Sequence, residues 1–167
     1  INGSLQKSHY DYNLNVNNMC FDLVKLGNVS SKGSYNNNKL YVDRFNSASY
    51  DGEINSKGSI PFDLNLGSKN LGKLFSNDTL DFHIDSKMKK LPFLTPYISD
   101  LDSVIGNFDI SLSLSGFPNN IQRNGKLSVR NGQVYSMQLS DPIKALNGDA
   151  LIKKNILTID EMFALIY

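Results

Sequence analysis

The sequence contains few of the groups that build reactive or strongly charged sites. It has one cysteine, Cys20, so an intrachain disulfide and a cysteine-linked metal site are both excluded. Its 17 Lys and Arg residues nearly balance its 16 Asp and Glu residues, which leaves a formal net charge of +1. Nucleic-acid binders carry concentrated basic surfaces, so we expect no nucleic-acid partner.

Long apolar runs are also missing. The uninterrupted apolar stretch at residues 163–167 is far shorter than the roughly 18 residues that a membrane-spanning helix needs. The sequence opens at Ile1 without an initiator methionine and stops at Tyr167 inside this apolar stretch. We therefore expect residues 1–167 to be a single β-rich segment of a longer protein, with any membrane anchor outside it.

Groups suited to catalysis are sparse. The two histidines, His9 and His83, occupy outward positions of alternating segments, which favours a surface role over that of a base or ligand. Cys20 stands between Met19 and Phe21, where a small buried apolar residue is the favoured interpretation. Phosphate-binding glycine loops, histidine-rich zinc patterns and nucleophile elbows do not occur. We predict a non-enzymatic protein without catalytic residues, metal ligands or cofactor.

Paired carboxylates leave one enzymatic alternative open. Asp81 and Asp85 flank His83, and Asp100 lies near Asp102. A glycosidase needs two carboxylates that face each other across a cleft, and the sequence alone does not place these four. A solvated surface or a helix cap is the favoured interpretation, and a β-rich carbohydrate-active enzyme is the weaker one.

Period-two alternation of apolar and polar residues predicts half-buried β-strands. Such strands are expected at residues 9–16, 28–35, 39–45, 53–66, 80–85, 107–114, 126–130, 143–152 and 156–167. Gly-containing pairs at 51–52, 124–125, 131–132 and 147–148, with the Asn run at 36–38, predict tight turns between them. Helical signals are confined to residues 71–75 and 96–101, which follow the capping residues Asn70 and Thr95. The pattern predicts an all-β, antiparallel meander with one or two short helices.

One segment recurs within the chain. The residues at 38–45 read NKLYVDRF and those at 155–162 read NILTIDEM, so both follow the pattern Asn-x-Leu-x-(Val/Ile)-Asp-x-(Phe/Met). Coincidence in an Asn-rich chain is the competing explanation. A true repeat predicts an elongated sheet in which each strand-turn-strand unit packs against its neighbours.

The later part of the chain resembles the TamB/AsmA-like superfamily of long, periplasmic, β-rich proteins. Four blocks in order carry the resemblance: a long alternating strand that closes in Leu-Ser-Gly, an Asn-Gly-x-Leu strand that ends in a second Asn-Gly, a Pro-Ile entry and a final short strand. They are GNFDISLSLSGFP (106–118), NGKLSVRNG (124–132), LSDPI (139–143) and LTI (157–159), and KGSIPFDL (57–64) is similar to a neighbouring strand of the family.

The resemblance implies a curved, U-shaped sheet that is apolar inside and polar outside. It implies a non-enzymatic scaffold that conducts phospholipid between the inner and outer membranes and supports outer-membrane biogenesis. The implied location is the periplasm of a diderm bacterium, with the parent protein anchored in the inner membrane. The implied partners are phospholipid acyl chains and a barrel of the BamA family, similar to TamA.

The alternating strands offer candidate groove-lining residues. They are Tyr10, Tyr12, Leu14, Val16, Phe108, Ile110, Leu112, Leu114, Leu127, Val129, Leu157 and Ile159. Strands with one apolar face must bury it against a second sheet, a fold of the same sheet or a ligand, because wet apolar area costs about 25 cal/mol per Å². A closed core of a β-sandwich binding or adhesion module therefore remains the alternative to an open lipid groove.

Overall fold

The computed structural model describes residues 9–21, 24–65, 67–95 and 98–165. These residues form nine strands: β1 (Tyr10–Phe21), β2 (Val24–Asn36), β3 (Lys39–Ser49), β4 (Gly52–Ile60), β5 (Leu80–Lys90), β6 (Leu101–Phe117), β7 (Asn120–Ser136), β8 (Ile143–Lys153) and β9 (Ile156–Leu165). Each strand pairs antiparallel with its neighbour along the chain, in the order β1 to β9. The sheet is open, since β1 and β9 do not pair. The predicted all-β antiparallel meander is confirmed.

Almost every ladder of the sheet is irregular. Register shifts occur in each pair of neighbouring strands except β4 and β5. A bulge places two residues opposite one, which bends the strand and increases its right-handed twist. The sheet therefore departs from a flat ribbon along its whole length, as the expectation of a curved sheet requires.

Both helix predictions were wrong: one segment is not helical, and the other has only a 3₁₀ turn before the predicted position. Residues 71–75 form turns and an isolated bridge between Phe62 and Leu74, and not a helix. A single 3₁₀ turn, Pro92–Leu94, precedes the second expected site, of which residues 96–97 lie outside the described residues. Leu101, the expected helix end, begins β6 because its segment finds a partner strand in β7.

The three Asn-Gly pairs were wrong as turn signals, and of the four Gly-containing pairs only Asp51-Gly52 lies at a turn. Gly125 lies inside β7, where a Cβ atom would stand 2.4 Å from the Ser111 carbonyl oxygen. Asn131, with φ at 53°, lies at a register shift inside β7, and residues 147–148 lie inside β8. Glycine here allows close backbone approach, and asparagine accepts the left-handed conformation of a bulge.

Candidate functional site

All twelve predicted lining residues lie on one face of the sheet, which we call the apolar face. Residues directly opposite each other in neighbouring strands point to the same side, so the registers trace rows of side chains across the sheet. Two rows cross all nine strands, and we call them the floor. The first is Leu14, Ser31, Phe45, Ser56, Ile84, Leu112, Gly125, Ile152 and Leu157; the second is Val16, Val29, Ser47, Ile54, Ser86, Ile110, Leu127, Ala150 and Ile159.

The other predicted lining residues belong to the flanking rows. Tyr12 continues through Gly33, Val42, Gly58 and Phe82 to Leu114. Phe108 and Val129 share a row with Met88 on the opposite side of the floor. Tyr10 lies outermost and stacks on Tyr35, with the ring centroids 5.2 Å apart, and burial raises the pKa of the Tyr10 hydroxyl.

Small residues lie between large ones at several places on the floor. They were not predicted from the sequence. Ser31, Ser47, Ser56 and Ser86 separate the large side chains of neighbouring strands. Their spacing could have predicted them on the apolar face. Each serine lies an even number of residues from an apolar residue of its own strand, as Ser86 does from Met88. They leave space between the large apolar side chains.

The serine hydroxyls do not make the floor polar. Ser47 Oγ donates to the Leu26 carbonyl oxygen at 2.6 Å, and Ser86 Oγ donates to the Glu53 carbonyl oxygen at 3.1 Å. A hydroxyl that is hydrogen-bonded to the backbone presents mainly its Cβ to its surroundings, and its burial carries little penalty. Both serines are buried.

The loop between β4 and β5, residues 61–79, covers one margin of the apolar face. Its Leu64 N–H donates to the Tyr35 hydroxyl at 3.1 Å, and Asn65 Nδ2 donates to the same oxygen at 3.2 Å. Tyr35 is fully buried, as is Asp63, whose carboxylate accepts from Ser68 Oγ and from the Asn65 N–H. The Ser68 hydrogen bond is the main cause that lowers the pKa of Asp63.

The described part of the segment between β5 and β6, residues 91–95 and 98–100, covers the other margin. Leu91 packs with Met88, Val104, Phe108 and Val129 into the hydrophobic core of the molecule, and the Leu91 N–H donates to the Val104 carbonyl oxygen at 3.1 Å. Two predicted lining residues, Phe108 and Val129, are therefore only 4% and 7% exposed. They contribute to a closed core and offer no free surface to a ligand.

The remaining ten predicted lining residues retain accessible surface. Leu157 and Ile159 are 59% and 53% exposed, Leu14 is also exposed, and the other seven are half-buried. Three rows lie between the two covers: the row of Tyr12 and the two rows of the floor. They span roughly 14 Å along the strand direction, and the nine strands together span roughly 38 Å in the perpendicular direction. We call this strip the trough; seven of its positions are buried, namely Val29, Ser31, Gly33, Val42, Ser47, Ser86 and Ala150.

The opposite, polar face carries a hydrogen-bonded network around His83. Ser113 Oγ lies 2.9 Å from His83 Nδ1, and Asp85 Oδ2 lies 2.9 Å from Nε2. A carboxylate only accepts, so His83 Nε2 is the donor to Asp85. These residue types also form hydrolase triads; here Ser113 lies in β6, an interior strand that pairs with β5 and β7.

Other charges on the polar face also pair locally. Arg130 Nη2 donates to Asp149 Oδ2 at 2.8 Å, and this hydrogen bond is the main cause that lowers the pKa of Asp149. Outside the strands, Asp100 in the β5–β6 connection accepts from Gln138 Nε2 in the β7–β8 connection at 2.6 Å. Each of these contacts ties a carboxylate to another segment of the chain.

Cys20 is exposed, so its expected burial was wrong. Register shifts on both sides of Met19, together with the left-handed conformation of Asn18, change the phase of β1, and Cys20 comes to lie opposite Lys25. A bulge reverses the face of every residue beyond it, which alternation alone does not reveal.

The chain matches no family model, and neither a curated protein nor a solved structure is significantly similar to it. In the part of the chain that the structure describes, no helix has the length and apolar character of a membrane span.

Proposed function

We propose that this chain is a non-enzymatic scaffold whose apolar trough conducts phospholipid between the inner and outer membranes and so supports outer-membrane biogenesis. One observation carries the proposal: the floor crosses all nine strands, and no second sheet packs on it among the described residues. The resemblance to TamB/AsmA-like proteins names the cargo, the periplasmic location and a BamA-family barrel as partner.

The size of the trough suits an acyl chain. One leaflet accounts for about half of the roughly 30 Å hydrocarbon core of a bilayer, so a tail needs about 15 Å of apolar contact. The trough is longer than this across the strands. Its side chains make only non-directional contacts, so a tail can move from one strand to the next without breaking hydrogen bonds. The headgroup stays at the open side, in water.

The edge of the sheet at β9 supports passage of a phospholipid through the trough rather than its storage there. The two covers lie at strand ends, so they border the trough along its length, and no described residue covers its β9 end. Leu157 and Ile159, the last floor residues, are both exposed there. A lipid can therefore enter or leave across β9.

A charge placed on the floor tests the proposal. We expect Leu112→Asp to reduce transfer of a fluorescent phospholipid from phosphatidylethanolamine and phosphatidylglycerol vesicles to the purified chain by at least about tenfold, because a carboxylate would have to be buried against the tail. Thr158→Asp, at an exposed position on the polar face of β9 opposite Leu151, is the control and should transfer lipid normally. Native mass spectrometry for bound phospholipid provides an independent readout.

The competing function is a closed β-sandwich module for binding or adhesion, which would need a second sheet from outside the described residues. Equal transfer by the two variants, or no transfer by the unchanged chain, would contradict the lipid proposal. Since Leu112→Asp could unfold the sheet, Leu157→Asp serves as a second variant whose side chain is already exposed. Circular dichroism separates loss of lipid from loss of fold.

A further inference from the structure

Two hairpins of the sheet are built alike. In the turn between β2 and β3, Asn37 and Asn38 have φ values of 49° and 62°. In the turn between β8 and β9, Lys154 and Asn155 have φ values of 49° and 67°. Two consecutive left-handed residues are the mark of a type I′ hairpin turn. The recurring sequence pattern thus corresponds to a recurring structure.

The two hairpins also share a bulge at the same position. Against β2, Val42 pairs with Gly33 and Arg44 with Lys32, which leaves Asp43 as the extra residue. Against β8, Ile159 pairs with Ala150 and Glu161 with Asp149, which leaves Asp160 as the extra residue. The aspartates occupy the same place in the sequence pattern. The two hairpins are therefore equivalent residue by residue through the bulge, and β9 corresponds to β3.

The outer edges of these equivalent strands differ. β3 pairs with β4 on its outer side, whereas β9 pairs only with β8 among the described residues. Val42 is 8% exposed and its counterpart Ile159 is 53% exposed, and every residue of β9 is exposed. β9 contains neither proline nor lysine, which often protect an edge strand, and its only protective features of this kind are the bulge and the acidic pair at 160–161.

We propose that the outer edge of β9 binds an antiparallel strand from a partner, with the chemistry of β4. In the β3–β4 ladder, Val42 pairs with Gly58 and Phe45 with Ser56, so Lys57 alone faces Asp43 and Arg44. In β9 the two facing residues are both acidic, Asp160 and Glu161. The partner strand thus carries small residues opposite Ile159 and Met162, and a lysine or arginine between them.

Among the described strands, a second copy of this chain supplies no such strand. Symmetric antiparallel pairing of two β9 strands about residues 160–161 would bring the carboxylates of Asp160 and Glu161 together, and like charges directly opposite are destabilising. The other edge strand, β1, contains no lysine or arginine, and bulges interrupt it near Met19. β4 itself is an interior strand and is already paired on both sides. The proposal is independent of lipid conduction.

A peptide of residues 50–60, which contains β4, tests the edge on the unmodified chain. At saturating peptide we expect the β9 amides that point away from β8 to exchange with deuterium at least about tenfold more slowly, with β1 unchanged. The same peptide with Ser56→Pro should give no protection, since proline removes an N–H and cannot continue the ladder.

Charge reversal tests the stated chemistry. The peptide with Lys57→Glu should bind at least about threefold more weakly, and Glu161→Lys in the chain should restore its binding. Protection of β1 instead of β9, no protection at all, or equal binding of the two peptides would overturn the proposal. So would a dimer held by β9 in the absence of peptide, measured by sedimentation and deuterium exchange.

Discussion

The hydroxyl of Tyr35 accepts the backbone N–H of Leu64 at 3.1 Å, and this contact fastens the β4–β5 loop to the apolar face. We expect Tyr35→Phe to lower the free energy of unfolding by about 1–3 kcal/mol, because the buried N–H loses its acceptor while the ring stays in place. Urea denaturation measures this loss as a lower midpoint at an unchanged slope.

Tyr41→Phe is the control for this change, since Tyr41 is exposed on the polar face. It should alter the free energy of unfolding by no more than about 0.5 kcal/mol. Equal effects of the two substitutions would show that the Tyr35 hydroxyl does not hold the loop.

Asp63 makes the stability of the chain dependent on acid. Hydrogen bonds from Ser68 and Asn65 hold the pKa of this carboxyl below its ordinary value of 3.8. A group with a lowered folded-state pKa stabilises the fold above its ordinary pKa, and this contribution is lost as the pH falls through the folded-state value. We expect the free energy of unfolding to fall below about pH 4, and Asp63→Asn to reduce the steepness of that fall.

Ser68→Ala gives a second test of the same carboxyl. It removes the main cause of the lowered pKa, so it should also flatten the acid dependence and reduce stability at neutral pH. Urea titrations at several pH values between 7 and 3 provide the comparison. A variant that keeps the full acid dependence would locate its source elsewhere, for example at Asp78 or Asp149, whose pKa values are also lowered.

Lys154 occupies a left-handed position that asparagine fills in the equivalent turn. Side chains other than glycine, asparagine and aspartate are strained there, so Lys154→Asn should stabilise the β8–β9 hairpin by roughly 0.5–1 kcal/mol. The reverse change, Asn37→Lys, should destabilise the β2–β3 hairpin by a similar amount. Deuterium exchange of the amides that join β8 and β9 measures the first effect, and Lys153→Asn, at the neighbouring position without a positive φ, is its control.

The sequence predicted the class of fold and the apolar face because both follow from local alternation. Phe108 to Leu114 alternate strictly, and the ladders place them beside Leu127 and Val129 as expected. The Asn-Gly pairs misled because the same two residues serve a turn and a bulge within a strand. A bulge or an unbroken strand forms in place of a turn where partner strands are available, as they are for Gly125.

The covers of the trough could not be predicted. Phe108 and Val129 are closed off by Leu91, and Tyr35 by Leu64 and Asn65. These contacts join residues far apart in the chain, and neither loop has a periodic pattern. The prediction that Cys20 is buried was wrong for a related reason. The face on which the residues of β1 lie changes at a bulge, and this bulge depends on pairing with β2.

The hydroxyls of Ser47 and Ser86, which are hydrogen-bonded to the backbone, affect how well hydropathy scales recognise an apolar face of this kind. Scales that score each residue type by its free side chain count serine as hydrophilic wherever it stands. Here the two serines are buried in the floor with their hydroxyls hydrogen-bonded to the backbone, so averaged scores underestimate how apolar the floor is. Searches that weigh strand position and hydroxyl pairing would detect surfaces that composition hides.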